Sequence, residues 1–215
     1  MAYNQQLLNE LTSTSRDFEI LEEKVNPNSS WKSLKIRGVF QRADAKNQNG
    51  RIYPYKVLDR AIQEVNESLT SRNMFGELDH PSDQSPTVSL KNVSHVVTTL
   101  RFNGNDLIGE AVVFDDPGPS GTPGGRLLGA LIRNNCTVGI SSRGYGAVNS
   151  DYDGSSIVEE YKLVTFDCVH DPSTHKAFIE PVNEGKDFKR KLREAIEEKE
   201  FRDYLKNEVS SLFRK

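Results

Sequence analysis

One stretch of the 215-residue chain has residue types suited to acyl transfer: Val138-Gly139-Ile140-Ser141-Ser142-Arg143-Gly144-Tyr145-Gly146. In an extended segment successive side chains point to opposite faces, so Cys136, Val138 and Ile140 share one face and Thr137, Gly139 and Ser141 the other. The face around Ser141 is stripped of bulk, and a serine nucleophile needs that clearance for a peptide carbonyl to approach. Gly144 and Gly146 allow backbone N–H groups close to a developing oxyanion, and Arg143 is a candidate for the same support through its N–H or its guanidinium. The same residues also read as a Gly/Ser-rich turn, and they do not match the G-x-S-x-G nucleophile elbow.

A general base would come from one of four histidines. His95 lies inside a strand-like run and reads as structural. His170 and His175 bracket the turn Asp171-Pro172-Ser173-Thr174 and read as surface residues or ligands. His80 differs: Gly76-Glu77-Leu78-Asp79-His80-Pro81 sets it among acidic neighbours, with Pro81 fixing the backbone that follows. A metal-dependent hydrolase built on His80, Asp83, His170 and His175 is a rival reading, although no H-E-x-x-H cluster supports it.

These residues must be held by elements that the periodicity marks out. Residues 1–30 are polar and end in the turn-forming Asn26-Pro27-Asn28-Ser29-Ser30, so order is expected to begin near Trp31. Leu34, Ile36 and Phe40 alternate as in a half-buried strand. Pro54 followed by Leu58, Ala61, Ile62, Val65 and Leu69 predicts one amphipathic helix over 54–70. Segments 87–102 and 106–114, parted by Asn103-Gly104-Asn105, predict a hairpin. Asp115 to Gly125, with three Pro and four Gly, predicts a loop. A helix is expected near 125–134, then strands over 136–148 and 156–169. After a core spanning 31–185, residues 186–215 are dominated by Lys, Arg and Glu with a thin apolar stripe, which predicts a charged helical tail.

Lys+Arg 28 against Asp+Glu 31 gives a net charge of -3, so no basic field exists to attract nucleic acid. No run reaches the ~18 apolar residues of a membrane span, and the N-terminus is unlike a signal peptide, so the protein is expected to stay in the cytosol where it is made. Cys136 and Cys168 lack a zinc-like spacing and are expected as reduced, buried core residues.

Three separated motifs in register carry a resemblance: Asn49-Gly50-Arg51-Ile52-Tyr53-Pro54, then Gly76 to Pro81, then Gly139 to Gly146. Over about residues 35–182 the chain resembles the prohead proteases of T-even-type bacteriophages. The resemblance implies that His80 and Ser141 are the catalytic pair. It implies an α+β fold with a β-barrel-like core flanked by helices, as in herpesvirus assemblins. It further implies cleavage of phage scaffold, core and major capsid proteins inside the assembling procapsid in the host cytoplasm, by a homo-oligomer needing no metal or cofactor. An inactive structural head component of the same descent is the alternative.

Assemblins use a second His as the third catalytic member, which would favour His170. Asp167 is preferred here. It lies on a strand sharing a face with Leu163 and Thr165, where a carboxylate needs a partner such as an imidazole N–H or the guanidinium of Arg143. The family's preference for cutting after Glu, with an aliphatic residue two positions earlier and a small residue following, points to self-cleavage between Glu194 and Ala195. Leu8-Asn9-Glu10, followed by the bulkier Leu11, and Ile62-Gln63-Glu64 fit less well.

Overall fold

The computed structural model describes residues 6–11, 19–23, 31–47, 49–83, 85–150 and 155–170. The expected tail over 186–215, with Glu194 and Ala195, lies outside the described residues, as does His175. Two sheets dominate. The first has the order β1 (Gln6–Leu11), β8 (Gly139–Ser150), β9 (Ser156–Val169), β4 (Arg51–Ile52), and the second the order β2 (Glu19–Glu23), β3 (Ser33–Arg42), β7 (Asp106–Val113), β6 (Val93–Asn103), β5 (Phe75–Glu77). A parallel bridge between Leu78 and Cys168 joins the end of β5 to β9, and so links the two sheets. Three helices, α1 (Tyr55–Glu64), α2 (Asn66–Thr70) and α3 (Pro123–Arg133), complete the described elements.

The alternating apolar residues of β3 go inward as expected: Leu34, Ile36 and Phe40 are buried. Phe40 meets Phe166 of β9 edge-on at 5.1 Å between ring centroids, and Tyr53 meets Tyr161 in the same way at 5.0 Å. Such T-shaped pairs set the positive edge of one ring against the negative face of the other, so they orient as well as fill. The hairpin forms around Gly104, whose φ of +61° is a conformation that glycine adopts without a Cβ clash.

Several expectations are corrected. Order does not begin near Trp31, because β1 pairs with β8 and β2 with β3. A short strand within a polar stretch is stabilised by a sheet edge formed elsewhere in the chain, which the composition of that stretch does not reveal. The helix over 54–70 is two helices, broken at Val65, with Pro54 as the cap rather than the first helical residue. The loop ends early: α3 starts at Pro123, where Thr122 Oγ1 accepts the Gly125 N–H at 2.9 Å. Finally, Cys136 is only partly buried. It belongs to the helix exit after Asn135 (φ +58°), where its N–H bonds the Leu131 carbonyl, and not to a strand.

The hairpin's first strand also starts later than expected, at Val93. Backbone groups of the preceding loop are used instead by two charged side chains, Arg143 taking the Ser85 and Thr87 carbonyls and Glu77 the Ser89 N–H.

Candidate active site

The antiparallel register of β8 and β9 sets Ser141 directly opposite Asp167. Cross-strand partners project to the same face, so the 26-residue separation in sequence collapses into one neighbouring pair. His80 arrives from the other sheet. After β5 the chain bridges to Cys168 through Leu78, and Asp79 then turns with φ +64°, its N–H bonding the Cys168 carbonyl at 2.7 Å. This sparsely used backbone conformation reverses the chain just before Pro81 and carries the His80 ring over the end of β9.

The three side chains form a continuous chain of contacts. His80 Nε2 lies 2.7 Å from Ser141 Oγ, and His80 Nδ1 lies 2.7 Å from Asp167 Oδ2. An ionised carboxylate only accepts, so Nδ1 carries the proton and Nε2 is left to accept from the serine hydroxyl. Ser141 is 3% exposed and Asp167 0%, while the His80 side chain keeps 22% of its surface, so the site opens on the imidazole side. Asp167 Oδ1 is held by the Glu77 N–H at 2.9 Å. Both ring nitrogens of His80 make these contacts, and among the described residues no group of three or more His, Cys, Asp and Glu stands close enough to hold a metal ion.

Beneath the site sits a buried charge cluster. Arg143 Nη2 bonds Glu77 Oε1 at 2.9 Å and Asp167 Oδ1 at 3.2 Å. Arg143 Nε lies 2.8 Å from Asp167 Oδ2, an ion-pair distance at an angle that makes no hydrogen bond. The guanidinium is buried, with Nη1 on the Ser85 and Thr87 carbonyls and Nη2 on the two carboxylates, so it is not free to bind an oxyanion, which corrects that part of the expectation for Arg143. The two possible partners of Asp167, His80 and Arg143, are both realised, because a carboxylate has lone pairs enough for each. Gly144 is needed for packing: a Cβ there would lie 2.5 Å from the Tyr161 ring and 2.6 Å from the Lys162 carbonyl oxygen.

His170 lies apart from these three side chains. Its side chain is exposed, and its backbone N–H reaches Asp79 Oδ1 at 3.3 Å. His95 is buried as expected, with Nε2 donating to the Phe166 carbonyl at 3.0 Å and Nδ1 accepting from Ser94 Oγ at 2.9 Å. Burial pushes its pKa below 6.5, against the opposing pull of the Asp167 charge and of the bond to Phe166. Burial likewise raises the Cys168 thiol, with Asp167 and Asp79 adding to the effect, so it stays protonated.

Residues 16–187 match the family described as prohead core protein serine protease. The chain belongs to that family. It is 35% identical over 152 residues to the prohead core protein protease of Enterobacteria phage T4, covering 69% of this chain and 68% of that protein. A solved structure of the bacteriophage T4 capsid assembly protease superposes with a TM-score of 0.67 at 30% identity, over 79% of this chain and 99% of that one. This prohead core protease is thus a peptidase of the T4 type with a mixed α/β fold. No helix among its described residues is long and apolar enough to cross a membrane.

Glu77, visible in the sequence only as one of the acidic neighbours of His80, joins this cluster through Arg143. The available signal was an acid between Gly76 and Leu78 in a strand-like segment, where a carboxylate demands a cation.

Proposed function

We propose that this prohead core protease is a serine endopeptidase in which Ser141 is the nucleophile, His80 the general base and Asp167 the residue that orients His80. The observation that carries the reading is the unbroken contact from Asp167 Oδ2 through the His80 ring to Ser141 Oγ, both links at 2.7 Å. Ser141 Oγ attacks the scissile carbonyl as His80 Nε2 takes its proton, and the same nitrogen returns a proton to the leaving amine. Water then repeats the sequence to free the acyl-enzyme. Asp167 fixes the tautomer and offsets the imidazolium charge. Oxyanion support falls to backbone N–H groups at the β-bulge between Arg143 and Gly144.

The substrates in this reading are the scaffold, core and major capsid proteins of the phage head, cut after Glu inside the procapsid in the host cytoplasm by a homo-oligomeric, assemblin-like enzyme. The chain itself is also a substrate. Glu194-Ala195 was the favoured bond on sequence. The register of β1 supports a second one at Glu10-Leu11: Glu10 stands opposite Ser142 and Leu11 opposite Ser141, with Leu8 buried beside Gly146. An extended strand laid along the nucleophile's strand is the backbone form that proteolysis requires.

A fluorophosphonate probe tests the chemistry, and intact mass tests the self-cleavage. Wild-type protein should be labelled at Ser141 and shed residues 1–10 or 195–215, while Ser141→Ala should do neither. Absence of labelling in protein sampled from assembling heads would favour the inactive structural component instead.

A further inference from the structure

The cluster beneath the triad holds one cation and two carboxylates, and this count bears on catalysis. Arg143, Glu77 and Asp167 are each 0–1% exposed. Asp167 touches the guanidinium through both of its oxygens. A carboxylate so neutralised is a poor companion for an imidazolium, because the nearby positive charge repels the one forming on His80. Glu77 binds the same guanidinium on Nη2.

We propose that Glu77 is a positioning residue of the triad, which by balancing the charge of Arg143 leaves Asp167 free to stabilise the protonated form of His80. With Glu77, the three buried groups sum to one negative charge, as a lone aspartate would. Proton transfer from Ser141 then brings the whole cluster to neutrality, in a site where unbalanced charge is costly. The gain arises only as His80 becomes protonated, so it favours the transition state over the resting enzyme. Without Glu77 the cluster is neutral at rest and positive during reaction.

A purely structural role is the competing account, since Glu77 Oε1 also accepts the Ser89 N–H at 3.0 Å and so ties down the loop that follows His80. Shape and charge separate the two. Glu77→Gln keeps the side chain's shape and an acceptor for both bonds but loses the charge, whereas Glu77→Asp keeps the charge and is one methylene short. The proposal rests on the Ser141, His80 and Asp167 reading, so the readout is the saturating rate of fluorophosphonate labelling at Ser141 on the full chain, with probe affinity and thermal midpoint measured alongside.

Glu77→Gln should slow labelling about 10- to 100-fold with probe affinity unchanged, and Glu77→Asp should label faster than Glu77→Gln despite its poorer fit. Labelling of Glu77→Gln at the wild-type rate, or of Glu77→Asp more slowly than Glu77→Gln, overturns the proposal. If Glu77→Gln does not fold, Glu77→Asp decides alone: its retained charge should keep labelling within about 10-fold of wild type, and a folded but unlabelled Glu77→Asp overturns the proposal equally. Wild-type protein that is unlabelled, or labelled independently of His80, instead removes the triad reading itself.

Discussion

Replacing Ser141 by Ala removes the hydroxyl that His80 Nε2 holds at 2.7 Å, and the expected loss of peptide hydrolysis is roughly 10⁶-fold. Ser142 is the control, since it projects from the other face of β8 and its buried Oγ has no partner among the described residues. Removing a buried hydroxyl that makes no hydrogen bond is close to neutral, so Ser142→Ala should keep most of the activity and the thermal midpoint. A folded Ser141→Ala protein that still cleaves would refute the assignment. Asp167→Asn should cost about 10⁴-fold, because the amide offers His80 the wrong partner for its tautomer, and His170→Ala should cost little. Steady-state rates of the two variants decide between them, and a reversed order would make His170 the third member. The meeting of Ser141 and Asp167 was legible in part, because alternation and motif singled out Ser141, and alternation set Asp167 on an apolar face where a carboxylate needs a partner. Their link to Glu77 was not, since no spacing tells that an acid three residues before His80 meets Arg143 of β8.

At the scale of elements, the Gly-rich run before α3 is the instructive case. Two of its four glycines belong to the helix, and a Cβ on Gly125 would run into the Phe114 carbonyl oxygen at the end of β7. Gly129, one turn later, lets the helix approach Asp115. Asp115 in turn accepts the Leu34 N–H at 3.2 Å and Arg133 Nη2 at 2.8 Å. These glycines serve close packing of α3 against the β6–β7 hairpin, although their composition signals a loop. Gly125→Ala should therefore destabilise the protein by about 2 kcal/mol despite alanine's better helix propensity. Thermal unfolding checks this: an unchanged or raised midpoint would mean that the helix shifts freely on the sheet. Hairpin turns and strongly alternating strands were legible because local pattern and final burial agree. The strands β1 and β2 were not, because each is a short segment inside a polar stretch, and its partner strand, not its own pattern, gives it structure.

On the scale of the whole molecule, His95 sits where the two sheets meet. It pairs with Gly76 of β5 and Val113 of β7, its ring reaches the Phe166 carbonyl of β9, and Cys168 Sγ lies 3.7 Å from its Nδ1. A Cβ on Gly76 would collide with this ring, so the fit is close. Neutral His95 satisfies both nitrogens, one donating and one accepting. Protonation would put a second donor against Ser94 and a charge where burial already lowers the pKa from 6.5. The unfolded chain has no such penalty and binds the proton more readily. Stability from this residue is thus fully present above pH 6.5 and is lost as pH falls below that value toward the depressed folded pKa, with a slope of at most about 1.4 kcal/mol per pH unit. Urea midpoints measured between pH 7.5 and 5.5 should fall for the wild-type protein. His95→Gln, which can still donate to Phe166 but does not titrate, should start lower and change less over the same range. Parallel curves for the two proteins would show that the acid sensitivity arises elsewhere, and that the junction between the sheets tolerates a charged imidazole.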